Sequence, residues 1–160
     1  MIPEIKIIAA KKLIGQRIEM SFSEDMTFQL WHNFMPRRKE IRNNLTNDLF
    51  SLQVYPDYFD FKNFNPAIRF EKWAAVEVPD FKSIPGGMKS FILPGGLYAV
   101  FIHRGAATEG PKTFRHIFGT WLPGSDYLLE DRPHFEILDE KYKNNNPASE
   151  EEIWIPIKPK

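Results

Sequence analysis

The sequence contains no cysteine among its 160 residues. Disulfide frameworks, thiol catalysis and cysteine-ligated zinc are therefore excluded, and a chain of this length buries roughly 70% of its unfolded surface without cross-links. It also lacks the run of about 20 apolar residues that a membrane helix needs, and its N-terminus does not resemble a cleaved signal peptide. We therefore expect a soluble, cytoplasmic protein that does not associate with membranes.

An excess of charge of either sign is also missing, because 21 basic residues balance 21 acidic residues. Proteins that bind nucleic acid usually carry a basic surface that neutralises phosphates. The basic residues cluster only at Arg37, Arg38, Lys39 and Arg42, a pattern typical of a solvated helix end. The charge balance therefore predicts no direct binding to nucleic acid.

Recognisable catalytic and cofactor motifs are absent as well. The glycine pairs 86–87 and 95–96 are typical of turns rather than of a phosphate-binding loop. The four histidines do not have the spacing of metal ligands, and Ser125 lacks the flanking pattern of a hydrolase nucleophile. We expect neither a metal ion nor a cofactor.

Aromatic residues are abundant, with 14 Phe, 5 Tyr and 4 Trp, and the secondary-structure pattern repeats. Residues 4–20, 49–55 and 70–78 are typical of strands, and between the first two a helix is predicted that begins after an N-cap at Ser23, is interrupted at Pro36 and resumes over about 37–46. Residues 97–103, 111–122, 133–138 and 151–157 repeat the order strand, helix, strand and strand. The pattern predicts one α+β domain over residues 1–160, with pseudo-repeats at about 3–79 and 87–158. Each repeat is expected to form an antiparallel sheet backed by a helix.

Side chains alternate across a strand, so each predicted strand has two faces of different character. One face is apolar, as in Phe135 and Ile137 of 133–138, and we expect this face to pack on a helix. The other face combines a large aromatic residue with a carboxylate or an amide, as in Trp73 and Glu71. Two such mixed faces turned toward each other would form an amphipathic cleft. The mixed faces contain Tyr55, Trp73, His134, Glu136, Glu152 and Trp154.

Four segments resemble the GyrI-like effector-binding family: LPGGLYAVFIHRG (93–105), FGTWLPGSDY (118–127), RPHFEIL (132–138) and EEIWIPIK (151–158). The family occurs as the ligand-sensing domain of AraC-type and MerR-type multidrug regulators and as stand-alone proteins. The resemblance covers residues 3–158. Because no helix-turn-helix precedes residue 3, we expect a stand-alone member that does not bind DNA as those regulators do.

The resemblance implies two pseudo-symmetric strand–helix–strand–strand modules with a central cleft for lipophilic, often cationic, aromatic compounds. It matches Glu136 to the family's pocket glutamate and Trp154 to an aromatic residue of the last strand, while Glu152 is the other candidate carboxylate. Tyr98 and Phe101 lie on opposite faces of one strand, so at most one should line the cleft. The further candidate ligand-binding residues are Trp31, Phe34, Tyr55, Trp73, Tyr98, Phe101, Trp121 and His134.

The sequence is compatible with three functions. The first is a binding module that senses or sequesters lipophilic cations. The second, permitted by the resemblance, is a hydrolase of strained electrophilic compounds in which Glu136 is the general base and Tyr98 positions the substrate. The third is a protein-partner role such as modulation of a topoisomerase. The missing catalytic motifs favour binding without turnover.

Overall fold

The computed structural model describes all residues from Met1 to Lys160. The chain forms nine strands and two main helices, so the predicted α+β class is confirmed. In chain order they are β1 (Glu4–Ile8), β2 (Lys11–Met20), α1 (Thr27–Phe34), β3 (Leu49–Val54), β4 (Phe70–Val78), β5 (Lys89–Leu93), β6 (Gly96–Arg104), α2 (Gly110–His116), β7 (Tyr127–Leu129), β8 (His134–Leu138) and β9 (Glu150–Pro159). A 3₁₀ segment at Met35–Glu40 extends α1, and a π-helical turn at Ile117–Trp121 extends α2.

The strands are joined in one antiparallel sheet with the order β1-β6-β9-β8-β3-β4-β2-β5, and β7 pairs with β9. The order on one side of the β3–β8 pair mirrors the order on the other side. The two predicted modules are therefore β2-α1-β3-β4 and β6-α2-β8-β9, and their sheets continue into each other. None of the helices has the length and hydropathy of a membrane-spanning segment.

The register shows that the pseudo-symmetry extends to individual side chains. Leu52 of β3 pairs with Phe135 of β8, and these two residues pair in turn with Trp73 and Trp154. Each tryptophan Nε1 donates a hydrogen bond to the carboxylate two residues earlier in its strand, at 2.6 Å for Trp73 and 2.9 Å for Trp154. The two modules have therefore kept the same tryptophan–glutamate arrangement.

Two short links force the sheet to curl on itself. Only Ala9 and Ala10 separate β1 from β2, and only Pro94 and Gly95 separate β5 from β6, although β1 and β2 lie toward opposite ends of the sheet. Each link spans at most about 11 Å, so the ends of the sheet approach each other. The enclosed inner face is filled by Leu13, Phe50, Leu52, Trp73, Ala75, Leu93, Tyr98, Val100, Phe135 and Trp154.

The two helices cover the outer face of the sheet on its two flanks. Leu30 and Phe34 of α1 pack with Ala74 of β4. Ile117, in the π-helical turn after α2, packs with Ile155 of β9. Between these two apolar clusters lie the central strands β3 and β8, whose outer faces carry polar side chains.

The expectation that Phe135 and Ile137 pack on a helix was wrong. Phe135 lies in the inner core, and Ile137 is half-buried against that core. The apolar residues of β3, Phe50 and Leu52, also point inward. The reason is that no helix covers the middle of the outer face, so the central strands bury their apolar side chains on the inner face instead.

We expect Gly95→Ala to destabilise the fold, because the two links contact each other at this glycine. A Cβ atom at Gly95 would lie 2.6 Å from the carbonyl oxygen of Ile8 and 2.8 Å from the amide nitrogen of Ala10. Both neighbours are backbone atoms, so the links would have to separate, at a cost of about 1–3 kcal/mol or more. Urea unfolding of the variant and the parent measures this difference.

Gly86→Ala is the matched control, since Gly86 also follows a proline and a Cβ atom there would have no neighbour within 4 Å. Its free energy of unfolding should stay within about 0.5 kcal/mol of the parent value. Equal stability of the two variants would contradict the role given to the Gly95 contact.

Candidate functional site

A cavity of about 500 Å³ lies on the outer face of the sheet, between the start of α1 and the helix α2. Its floor is formed by the central strands β3 and β8 with parts of β4 and β9. This volume falls within the range of roughly 300–1,000 Å³ that is usual for small-molecule sites. The walls are mainly aromatic, and the polar groups are concentrated on the floor.

The strand register brings four polar side chains to the floor. Gln53 of β3 pairs with Lys72 of β4 on one side and with His134 of β8 on the other. Glu136 lies two residues after His134 and therefore on the same face. All four residues line the cavity.

The aromatic walls come largely from the segment between β3 and β4 and from α2. Phe61 of this segment stacks on Phe118, with ring centroids 4.5 Å apart, and on His134 at 5.2 Å. The loop therefore closes one side of the cavity against the π-helical turn. The aromatic lining comprises Phe22, Tyr55, Phe61, Phe64, Phe70, Phe114, Phe118 and His134.

Glu136 is the electrostatically unusual group of this site. Its Oε2 atom is buried and has no hydrogen-bond partner. Burial raises the pKa of Glu136 to about 7, and Lys72 opposes this effect only in part. A buried carboxylate without a partner is costly to ionise, so the folded chain contains an unsatisfied acceptor next to an aromatic cavity.

The two other titratable rings of the floor and wall are neutral at physiological pH. Burial lowers the pKa of His134 to about 3. Burial raises the pKa of Tyr55, and the nearby Glu136 adds to this effect. Both residues therefore offer uncharged rings to a ligand.

Lys72 was missed by the reasoning from sequence. It is buried, with an exposed fraction of 9%, although lysine is rarely found buried without a partner. Its side chain lies on the same face of β4 as Phe70 and Ala74, which is otherwise apolar. A single lysine on the apolar face of a strand was the signal that could have identified it.

The cavity brings together some of the residues predicted from sequence. The side chains of Glu136, His134 and Tyr55 line it. Trp154 borders the floor, but its ring packs in the inner core against Phe135, at a centroid distance of 5.2 Å. Strand alternation therefore leaves the main chain of Trp154 to face the cavity.

The remaining predicted residues lie elsewhere. Trp73 and Tyr98 are in the inner core, and Glu152 accepts the hydrogen bond from Trp154 on the same inner side. Trp31 and Phe34 of α1 pack in the outer cluster on β2 and β4. Trp121 of the π-helical turn packs on Phe101 of β6 in the other outer cluster. Helical spacing and burial in the core account for these positions.

Glu136 and Tyr98 lie on opposite faces of the sheet, so the structure does not bring together the pair suggested for hydrolysis.

On β9 it is Glu151, and not Glu152, that shares the outer face with Ile153. Burial raises the pKa of Glu151, and Lys72 partly opposes the shift.

Six of the eight residues that line a second depression of about 460 Å³, beside α1, are polar or glycine. Two of its basic side chains already have partners, since Arg17 pairs with Glu71 at 2.8 Å and Arg37 pairs with Glu40 at 2.7 Å. It lacks the apolar walls of the larger cavity. No group of three His, Asp or Glu side chains lies close enough together to hold a metal ion.

Known proteins related in sequence include a transcriptional regulator and a DNA gyrase inhibitor. The transcriptional regulator BrlR of Pseudomonas aeruginosa is 28% identical over 149 residues, which are 92% of this chain and 52% of BrlR. The chain therefore spans about half the length of that relative. The DNA gyrase inhibitor of Escherichia coli strain K12 is 28% identical over 109 residues, which are 64% of this chain and 67% of the inhibitor.

A solved structure has the same fold. The structure of SAV2435 bound to tetraphenylphosphonium superposes with a TM-score of 0.73 at 14% sequence identity, covering 99% of this chain and 94% of SAV2435. The family model described as the GyrI-like small molecule binding domain matches residues 1–158. The chain therefore belongs to the GyrI-like small-molecule-binding family.

Proposed function

We propose that the chain binds aromatic small molecules that carry a positive charge, and that Glu136 is the counter-ion in the cavity. The observation that carries this proposal is the buried Oε2 atom without a hydrogen-bond partner, within a cavity whose walls are aromatic. A cationic ligand would supply the charge that the carboxylate lacks.

The energetics favour this class of ligand. Aromatic faces contribute roughly 0.5–2 kcal/mol each to a cation held near them, and Phe61, Phe118 and Tyr55 border the cavity. Few directional hydrogen bonds are needed in such a site, so ligands of different shape can be accepted. Tetraphenylphosphonium, the compound bound to SAV2435, is a lipophilic aromatic cation of this kind. We therefore propose a sensing or sequestering role for the domain.

A protein-partner role is the second candidate, and its support is the relationship to the gyrase inhibitor of E. coli. A DNA supercoiling assay with purified gyrase tests it directly. Inhibition by stoichiometric amounts of the chain would favour this role, and unchanged supercoiling would reject it.

We expect Glu136→Gln to weaken the binding of tetraphenylphosphonium by about 1–3 kcal/mol, or roughly 5- to 150-fold in Kd, the scale of a lost charge-assisted contact. The substitution preserves size and removes the charge. Tetraphenylborate, which has a similar shape and the opposite charge, should bind the parent more weakly than tetraphenylphosphonium does. Isothermal titration calorimetry at pH 8 measures both affinities.

Glu152→Gln is the control, because Glu152 lies on the inner side of the sheet and a glutamine oxygen can still accept the hydrogen bond from Trp154. Its affinity for tetraphenylphosphonium should equal that of the parent. The assignment of the counter-ion is wrong if the control loses affinity and Glu136→Gln does not.

The raised pKa of Glu136 also predicts how stability depends on pH. The pKa is about 7 in the folded chain and near 4.5 in the unfolded chain. The folded state therefore binds this proton more tightly than the unfolded state does. The resulting contribution of Glu136 to the free energy of unfolding is complete below about pH 4.5 and is lost as the pH rises to 7. The loss is at most about 3 kcal/mol, because one pKa unit corresponds to 1.36 kcal/mol.

Thermal melts of the parent and of Glu136→Gln between pH 4.5 and 8, without ligand, check this expectation. The other titratable groups of the cavity, Asp25, Tyr55, Lys72, Arg115 and His134, and the neighbouring Glu151 are common to both proteins. The stability of the variant relative to the parent should rise between pH 4.5 and 7. A difference that stays constant over this range would show that Glu136 has an ordinary pKa.

A further inference from the structure

Lys72 gives the cavity a second buried charged group beside Glu136, whereas the charged residues Asp25 and Arg115 are exposed where they line it. Strand β4 holds its side chain on the outer face, opposite Ile18 of β2 and Gln53 of β3. The residue is nine-tenths buried and lines the cavity. Placing an ammonium group there costs free energy unless a partner compensates its charge.

Glu136 and Glu151 are near enough to interact with this charge, but neither forms an ion pair with Lys72. Lys72 takes part in none of the eight ion pairs, and its Nζ atom donates no hydrogen bond to another side chain or to a carbonyl group. Glu136 also has no ion-pair partner. Among the buried side chains of the cavity there are therefore one ammonium group and one carboxyl group that form no ion pair.

The backbones of these two residues lie on different strands of the sheet. Lys72 and His134 flank Gln53, so their backbones are roughly 10 Å apart at about 4.8 Å per strand. Glu136 lies two further residues along β8, which adds a displacement of about 7 Å along the strand direction. The two charged side chains thus face the same cavity from different strands, and no ion pair joins them.

A ligand with only a positive charge fits this arrangement poorly. It would be attracted by Glu136 and repelled by Lys72, and within a poorly solvated cavity both effects are strong. His134 is neutral and cannot change this balance. A ligand with a positive group at one end and an anionic group at the other would satisfy both side chains.

We infer that the cavity is specific for aromatic compounds that carry an anionic group, such as a carboxylate, in addition to their positive charge, and that Lys72 binds this anionic group. The inference rests on the proposed function, in which Glu136 binds the positive group. Lys72 is then a specificity-determining residue that separates amphoteric aromatic ligands from simple lipophilic cations.

Two dyes with the same ring system test this inference. Rhodamine 110 carries a free carboxylate beside its cationic xanthene, and rhodamine 123 is its methyl ester and only cationic. Fluorescence anisotropy titrations at pH 8 should show that the parent binds rhodamine 110 at least tenfold more tightly. Lys72→Met should weaken rhodamine 110 binding tenfold or more and leave rhodamine 123 binding unchanged or stronger.

Two further variants keep the result interpretable. Lys72→Arg retains the charge and should retain the preference for rhodamine 110, which a purely structural role of the lysine would not predict. Lys12→Met removes an exposed lysine of β2 and should change neither affinity. Lys72→Met should fold at least as stably as the parent, since it removes a buried charge.

The outcomes separate the two proposals. If the parent prefers rhodamine 123, or if Lys72→Met changes both affinities by the same factor, the inference about Lys72 is overturned. If Glu136→Gln leaves both affinities unchanged while Lys72→Met weakens only rhodamine 110, the role of Glu136 is wrong and that of Lys72 is supported. If neither dye binds the parent while tetraphenylphosphonium does, the inference about Lys72 is overturned and the proposed function is retained; if none of the three compounds binds, both proposals are rejected.

Discussion

The contact between the two short links, Ala9–Ala10 and Pro94–Gly95, is the constraint on which the rest of the structure depends. Because each link joins strands from opposite regions of the sheet order, the sheet must curl and enclose its own core. The helices are then needed only on the flanks of the outer face. The middle of that face stays open, and this opening is the cavity.

Much of the fold could be predicted from the sequence, because alternation and helical spacing are local signals. The strand 70–78 was predicted with the bounds that the structure has, and the order of the elements in both modules was also predicted. The side of the sheet toward which the apolar residues of the central strands point was not predicted. In β3 and β8 the apolar faces point away from the helices, and only the curling of the whole sheet, a long-range effect, determines this.

The candidate site could be predicted where the resemblance to the GyrI-like family and the alternation of side chains along the strands indicated the same residues. Glu136, His134 and Tyr55 lie at the cavity, whereas the tryptophans expected there pack in the cores. A tryptophan on a strand fits a cleft or a curled inner core equally well, so sequence reasoning could not separate these cases. Phe61 and Phe64 belong to a loop, and no periodic pattern relates a loop to the helix it contacts.

The separation of the two faces of β3 and β8 has an evolutionary consequence. Their inward side chains, such as Leu52 and Phe135, maintain the closed sheet, while the outward neighbours Gln53, His134 and Glu136 contact only the cavity and its walls. On the proposed function, a substitution on the outward face would change ligand selectivity while the inward side chains that form the core stay the same. The same backbone would then acquire new ligand preferences one residue at a time, and Lys72 on the neighbouring strand β4 would be one such position if it binds an anionic group as we infer.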